Sequence, residues 1–301
     1  MNLFEIGIKY LKANIPCLND DKNWHKFEKY YFDEPDYSSL ENAFFEIPNS
    51  MYSQRRGKYI KYPVNEAAIM KVIHGDSSKR TCDYRFIFKQ YGEDYQKLVD
   101  DLQCEIGFKI INKNPNKNSW VIFAKALCSA AGFLSQFKDF DALCSFCTKN
   151  TPEERLKVAE NILKQRGAGC TTLVMTLNWL KDIGMPEYSK PDIHLCRIIT
   201  GIFYDEFLAK GAPYTSTIKV KWAEELPKNV NVQKDVFIKT DIQAKEDGAD
   251  IFAFDRLLYL IGSGDFWGTD KIFEQMKAEY AASVRGQDKD KRFIDYVISS
   301  Q

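Results

Sequence analysis

The sequence predicts a mainly helical chain, and three observations carry that expectation. Apolar residues recur at three- and four-residue intervals over much of the 301 residues. Helix starts are marked, as at Thr151-Pro152-Glu153-Glu154, where a cap residue, a first-turn proline and two acids meet the positive end of a helix. Signals for β-hairpins are nearly absent.

In chain order, residues 2–12 and 20–31 are expected as short amphipathic helices. Residues 33–63 carry Pro35, Pro48, Gly57 and Pro63 and are expected to be loop-rich. Within them, 51–61 reads MYSQRRGKYIK, with Arg55, Arg56, Lys58 and Lys61 and no acid. Such a run suits a solvated loop, or a phosphate-contacting one with Tyr52 or Tyr59 near enough to stack on a base. Residues 65–74 and 94–103 read as helices, and the polar run 112–118 reads as a loop between two lobes. Ser119 is placed to cap an apolar helix over 120–133, and helical spacing continues over 134–146. A helix over 152–164 follows. The next, over 171–180, has Leu173, Val174, Leu177 and Leu180 at helical spacing and is stopped by Gly184. Pro191 precedes Asp192, a residue type favoured at helix starts, and a helix over 192–208 is expected. After a break at 211–213, residues 217–222 alternate weakly and read as extended. Helices over 231–245, 250–261, 273–282 and 292–299 finish the chain, with Gly262 and Gly264 as stops.

The length is enough to bury a core, in one large domain or two lobes. Lys+Arg and Asp+Glu are both 42. That balance counts against a nonspecific DNA coat, while leaving room for a local patch that touches a few phosphates. The cysteines are scattered singly apart from Cys144 and Cys147, and no leader precedes Met1-Asn2-Leu3-Phe4, so a reduced, cytoplasmic protein is expected. Cys144-x-x-Cys147 has no second pair, so zinc is not expected. The apolar runs are too short to span a membrane.

Residues 164–197 read KQRGAGCTTLVMTLNWLKDIGMPEYSKPDIHLCR. Gly167 and Gly169 flank Ala168 in a turn too tight for bulky side chains. The stretch resembles the helix-hairpin-helix core of the HhH-GPD DNA glycosylase superfamily. The likeness rests on the glycine hairpin Arg166-Gly167-Ala168-Gly169 and on the later Asp in Lys190-Pro191-Asp192-Ile193-His194-Leu195. It extends from residue 120 to 207, and IFAFDRLLYLIGSG, beginning at Ile251, is similar to the family's D-x-L-L-W-x-x-G helix.

The resemblance implies a mainly α, two-lobed glycosylase-like fold with an interlobe cleft. Residues 119–215 would form the hairpin lobe, 1–118 the N-terminal part of the first lobe, and 216–301 the C-terminal helices returning to it. Free N–H groups and the dipole at the start of the helix after the hairpin favour a phosphate, so Arg166, Gly167, Ala168, Gly169, Cys170 and Thr171 are expected to contact DNA. Arg166 would add a charge-assisted contact. Asp192 is the expected catalytic residue, since cleavage of an N-glycosidic bond builds positive charge on the sugar and a carboxylate near C1′ stabilises it. A plain helix cap is its other role, and the two are compatible. Thr171 stands where bifunctional members carry a Schiff-base lysine, which implies a water-using, monofunctional enzyme. Lys181 and Lys190 are nearby but off that position. His194 is expected to be a structural histidine. No Cys follows Cys196, so the branches with a C-terminal iron–sulfur motif do not match.

In the family the hairpin often holds a monovalent cation on its carbonyls, and no other cofactor is expected. Trp120, Phe123, Phe266 and Trp267 are candidates for stacking on an extruded base, or for plain core. The expected function is therefore a monomeric, nucleoid-associated DNA glycosylase. It would act on double-stranded DNA that carries an oxidised, alkylated or hypermodified base, in repair or in defence against modified phage DNA. The alternatives are a silent DNA-binding module and a helical scaffold for protein partners.

Overall fold

The computed structural model describes residues 1–35, 39–52, 60, 62–74, 84–109, 118–165, 172–211 and 226–300. It is mainly helical, with no strand among the described residues. The helices in order are α1 (Leu3–Asn14), α2 (Asp21–Tyr31), α3 (Leu40–Tyr52), α4 (Tyr62–His74), α5 (Tyr84–Tyr91) and α6 (Tyr95–Ile106). Next come α7 (Ser119–Leu134), α8 (Phe140–Cys147), α9 (Pro152–Lys164), α10 (Leu173–Asp182) and α11 (Ile193–Ile202). The chain ends with α12 (Tyr204–Ala209), α13 (Val230–Glu246), α14 (Ile251–Ser263), α15 (Lys271–Ser283) and α16 (Lys289–Ser299). Among the described residues, no helix is long and apolar enough to cross a membrane.

The chain divides into two compact units. One joins Met1–Glu34 to Pro186–Gln301, and the other is Pro35–Met185. The divisions thus fall after residues 34 and 185. The expected boundary at 118/119 lies inside the second unit, and the one at 215/216 lies outside the described residues.

The first unit is built around α14. Its residues Ile251, Phe254, Leu257, Leu258 and Ile261 are buried, and so are Phe252, Ala253 and Leu260 on its other sides. A helix apolar on nearly every side must be surrounded, and α1, α11, α13 and α16 surround this one. Asp247, just past α13, accepts the Phe4 N–H at 2.8 Å and ties the start of α1 to that layer.

The second unit repeats the logic with α7 at its centre. Helices α3, α5 and α6 pack on α7, and α10 packs on α3. The buried Trp179 of α10 donates its indole N–H to the Ala43 carbonyl of α3 at 2.8 Å. Helix α9 carries the expected capping box. The Glu154 N–H donates to the Thr151 hydroxyl, and the Glu154 carboxylate accepts from the Thr151 N–H, both at 3.3 Å.

Several local expectations need correcting. The loop-rich expectation for 33–63 fails over Leu40–Tyr52, where α3 runs through Pro48. Leu40, Ala43, Phe44 and Ile47 are buried at helical spacing, and that packing outweighs the one hydrogen bond a proline removes. Asn118, not Ser119, caps α7, accepting from the N–H groups of Trp120 and Val121. Helical structure does not continue across 134–146. The Ser135 hydroxyl bonds back to the Ala131 carbonyl, the chain turns, and Asp139 caps a new helix, α8. The helix after Asp192 ends at Ile202, with α12 as a separate short piece. Gly262 lies within α14, and Gly264, at φ 65°, is the true stop.

The capping box yields a direct test. Thr151→Ala removes its hydroxyl arm and is expected to cost about 1 kcal/mol. The melting temperature of the second unit should fall by about 2–4 °C, as read by calorimetry.

Candidate active site

The geometry around Asp192 starts with its backbone. The Asp192 N–H donates to the Lys190 carbonyl at 2.7 Å, closing a tight turn across Pro191. The Lys190 N–H donates to Asp255 Oδ1 at 2.7 Å. The buried Cys196 thiol lies 3.3 Å from the Pro191 carbonyl, and burial raises its pKa, so it stays protonated and donates there. Asp192 itself is extended (φ −78°, ψ −169°) and caps α11. Its Oδ1 accepts the N–H groups of His194 at 2.9 Å and Leu195 at 3.1 Å. Among the described residues Oδ2 has no hydrogen-bond partner, and the residue is half-buried. One oxygen anchors the side chain and the other remains open.

Aromatic rings and cations stand nearby. Burial, and behind it the carboxylates of Asp192 and Asp265, holds the Tyr259 phenol above its ordinary value, so it remains a hydrogen-bond donor at neutral pH. Lys190 Nζ lies 5.7 Å from the Tyr259 ring centre. Tyr259 meets Trp267 edge-on at 5.9 Å, and the Arg256 guanidinium sits 5.3 Å from the Trp267 ring. His194 is tied to α16, with Nδ1 3.0 Å from Oδ1 of the buried Asp290. Arg197 donates to the other oxygen of Asp290 at 3.0 Å. Gly262 makes this approach possible. A Cβ there would stand 2.6 Å from His194 Cβ and collide with the Asp290 carboxylate.

The other expected site residues are distributed as follows. Arg166, Gly167, Ala168, Gly169, Cys170 and Thr171, together with Arg55, Arg56 and Lys58, lie outside the described residues. The helices on either side of residues 166–171, α9 and α10, pack on each other, and the Thr172 hydroxyl caps α10. Trp120 and Phe123 are core residues of the second unit, with Trp120 stacked on Phe108 at 4.2 Å. Phe266 is core in the first unit, edge-on to Tyr280 at 5.4 Å. Rings so enclosed serve packing. Trp267 alone of the four keeps exposed surface, and it stands next to Tyr259. Lys181 is buried in α10.

The second unit also has a half-open pocket of about 360 Å³, lined among others by Phe88, Tyr95, Lys125, Cys128 and Gly132. Burial pushes the Cys128 thiol up to about 12, so it is no nucleophile at neutral pH.

Asp255, Asp290, Tyr259 and Cys196 were not among the expected site residues. Asp255 and Tyr259 belong to the D-x-L-L-Y-x-x-G helix, which did carry a signal. Asp290 sits in Asp288-Lys289-Asp290-Lys291, a run indistinguishable in sequence from a solvated helix start. Gly262→Ala tests the packing here. It is expected to destabilise by about 1–3 kcal/mol through overpacking, measured by chemical denaturation. A cost near zero would mean that α11 and α16 give way freely.

No protein-family model, curated protein or solved structure matches this chain.

Proposed function

We propose that this protein is a monofunctional DNA glycosylase with a two-lobed, HhH-GPD-like fold, and that Asp192 is its catalytic residue. The observation that carries the reading is the Asp192 carboxylate, with Oδ1 held by two backbone N–H groups and Oδ2 open. Supporting it are the hairpin sequence between two helices that pack together and the cations and rings grouped around Tyr259, whose phenol feels the Asp192 carboxylate.

In this reading the C1′–N bond of an extruded nucleotide lengthens and its electron pair leaves with the base. The sugar then carries the positive charge. A fixed carboxylate opposes that charge without having to reorganise, which is where preorganised groups contribute most. Water adds to C1′ and gives up a proton to the carboxylate or the departing base, leaving an abasic site. Lys190 and Arg256 would meet phosphates, and Trp267 and Tyr259 would offer ring faces or edges to nucleotides.

A panel of modified-base duplexes and modified phage DNAs, scored for free base released, tests the activity. Asp192→Asn keeps the shape and should slow excision at least about a hundredfold, while binding to the same DNA survives. Undiminished excision by that variant would remove Asp192 from the mechanism, and DNA binding with no base release by the wild type would favour a silent binding module.

Thr171 supplies a second expectation, because it has no amine to form an imine with the sugar. The wild type should give no borohydride-trapped adduct and should leave abasic strands that break only in alkali. Efficient trapping would overturn the monofunctional reading and direct attention to Lys190, whose amine lies beside Tyr259.

A further inference from the structure

Asp192 is bracketed by two buried carboxylates from separate helices. Two residues before it, the Lys190 N–H donates to Asp255 Oδ1 of α14 at 2.7 Å. Two residues after it, His194 Nδ1 lies 3.0 Å from Asp290 Oδ1 in the first turn of α16. Arg197, one turn further along α11, donates to Asp290 Oδ2 at 3.0 Å. Asp255 is 2% exposed and Asp290 is 1% exposed.

We infer that Asp255 and Asp290 are positioning residues that set the direction of the open Asp192 oxygen, an inference that rests on the glycosylase reading of Asp192. An aspartate side chain has only two rotatable bonds. With Oδ1 fixed on the N–H groups of residues 194 and 195, the aim of Oδ2 follows from the backbone at 192 and the first turn of α11. Asp255 fixes the chain on the near side of that backbone, and the Pro191 ring limits the torsion that follows. Asp290 fixes the far side by holding the first two turns of α11 through His194 and Arg197.

Packing alone would not select these residues. Taking a carboxylate out of water is costly, and apolar side chains of similar volume often replace buried ion pairs without loss of stability. A buried carboxylate does supply what an apolar side chain cannot, a directional acceptor at a defined point. Asp290 uses both of its oxygens in that way. Gly262 gives up its own side chain to make room for Asp290 and His194.

The test compares Asp255→Ala and Asp290→Ala with wild type in single-turnover base release, with DNA affinity measured separately. Misplacing a reacting group slightly is costly, so each variant should slow release at least about tenfold while DNA affinity stays within about threefold. Asp255→Asn retains an oxygen that can accept the Lys190 N–H and should release base faster than Asp255→Ala. Asp290→Asn leaves one acceptor for two donors. It should be slowed as well, and it serves where the alanine variant does not fold. Wild-type rates in the alanine variants or in Asp290→Asn, alongside an inactive Asp192→Asn, overturn the inference. An Asp255→Asn protein as slow as Asp255→Ala removes the Lys190 hydrogen bond from it.

A second readout does not need activity. In protein carrying ¹³Cγ-labelled aspartate, the Asp192 resonance is the one missing from Asp192→Asn. It should be displaced in Asp255→Ala and Asp290→Ala and less displaced in Asp255→Asn, and a resonance unmoved in both alanine variants overturns the inference. If the wild type releases no base from any duplex, the glycosylase reading fails, and this measurement still decides whether the two carboxylates position Asp192.

Discussion

The first unit depends on a close approach at residue 262. Helices α11, α14 and α16 meet there, with His194 from one and Asp290 from another lying in the space a side chain would fill. Because the helices come this near, a carboxylate at the start of α16 reaches two donors on α11 and is shielded from water. In a low-dielectric setting those hydrogen bonds are strong, and an unpaired carboxylate would be expensive. Asp290 is therefore held by the same proximity that it reinforces.

Around that contact, apolar packing and polar anchoring divide the work. Leu195, Cys196, Ile198 and Ile199 on α11 are buried in the core shared with α14 and leave its amino end as the polar part of the helix. That end has unpaired N–H groups and a partial positive charge, both suited to a carboxylate. Asp192 meets the need with one oxygen. The turn before it is fixed by three separate donors: the Lys190 N–H to Asp255, the Asp192 N–H to Lys190, and the Cys196 thiol to Pro191. Any ligand would meet an anion whose direction is already set.

Much of the helical pattern was legible in the sequence because caps and stops are local. Thr151, Asp192, Gly184 and Gly264 act through atoms within a few residues, and each does what its type predicts. What was not legible depends on distant partners. Helix α3 survives Pro48 because the buried residues that precede it, Leu40 to Ile47, belong to a helix packed against α7, which a loop-prone composition does not reveal. Trp120 and Phe266 look in sequence like any aromatic able to stack on a base, and only their neighbours show them to be core. Asp290 lies 98 positions after Asp192 in an ordinary charged run, so nothing local marks it. By contrast, Asp255 lay in a pattern already singled out, and the missing information was only what its carboxylate holds.

The division of the chain has a consequence for how it is made. The first unit contains residues 1–34 and 186–301, so the whole second unit is inserted within it. Helix α1 packs against α14, more than two hundred residues later. On the ribosome α1 emerges with its apolar face lacking α14, while 35–185 can collapse as soon as it clears the exit tunnel. Domains generally fold as units during synthesis, and long-range pairings form late. The unit that holds Asp192 is thus the last to assemble, and its first helix waits through most of translation for the helix it packs on.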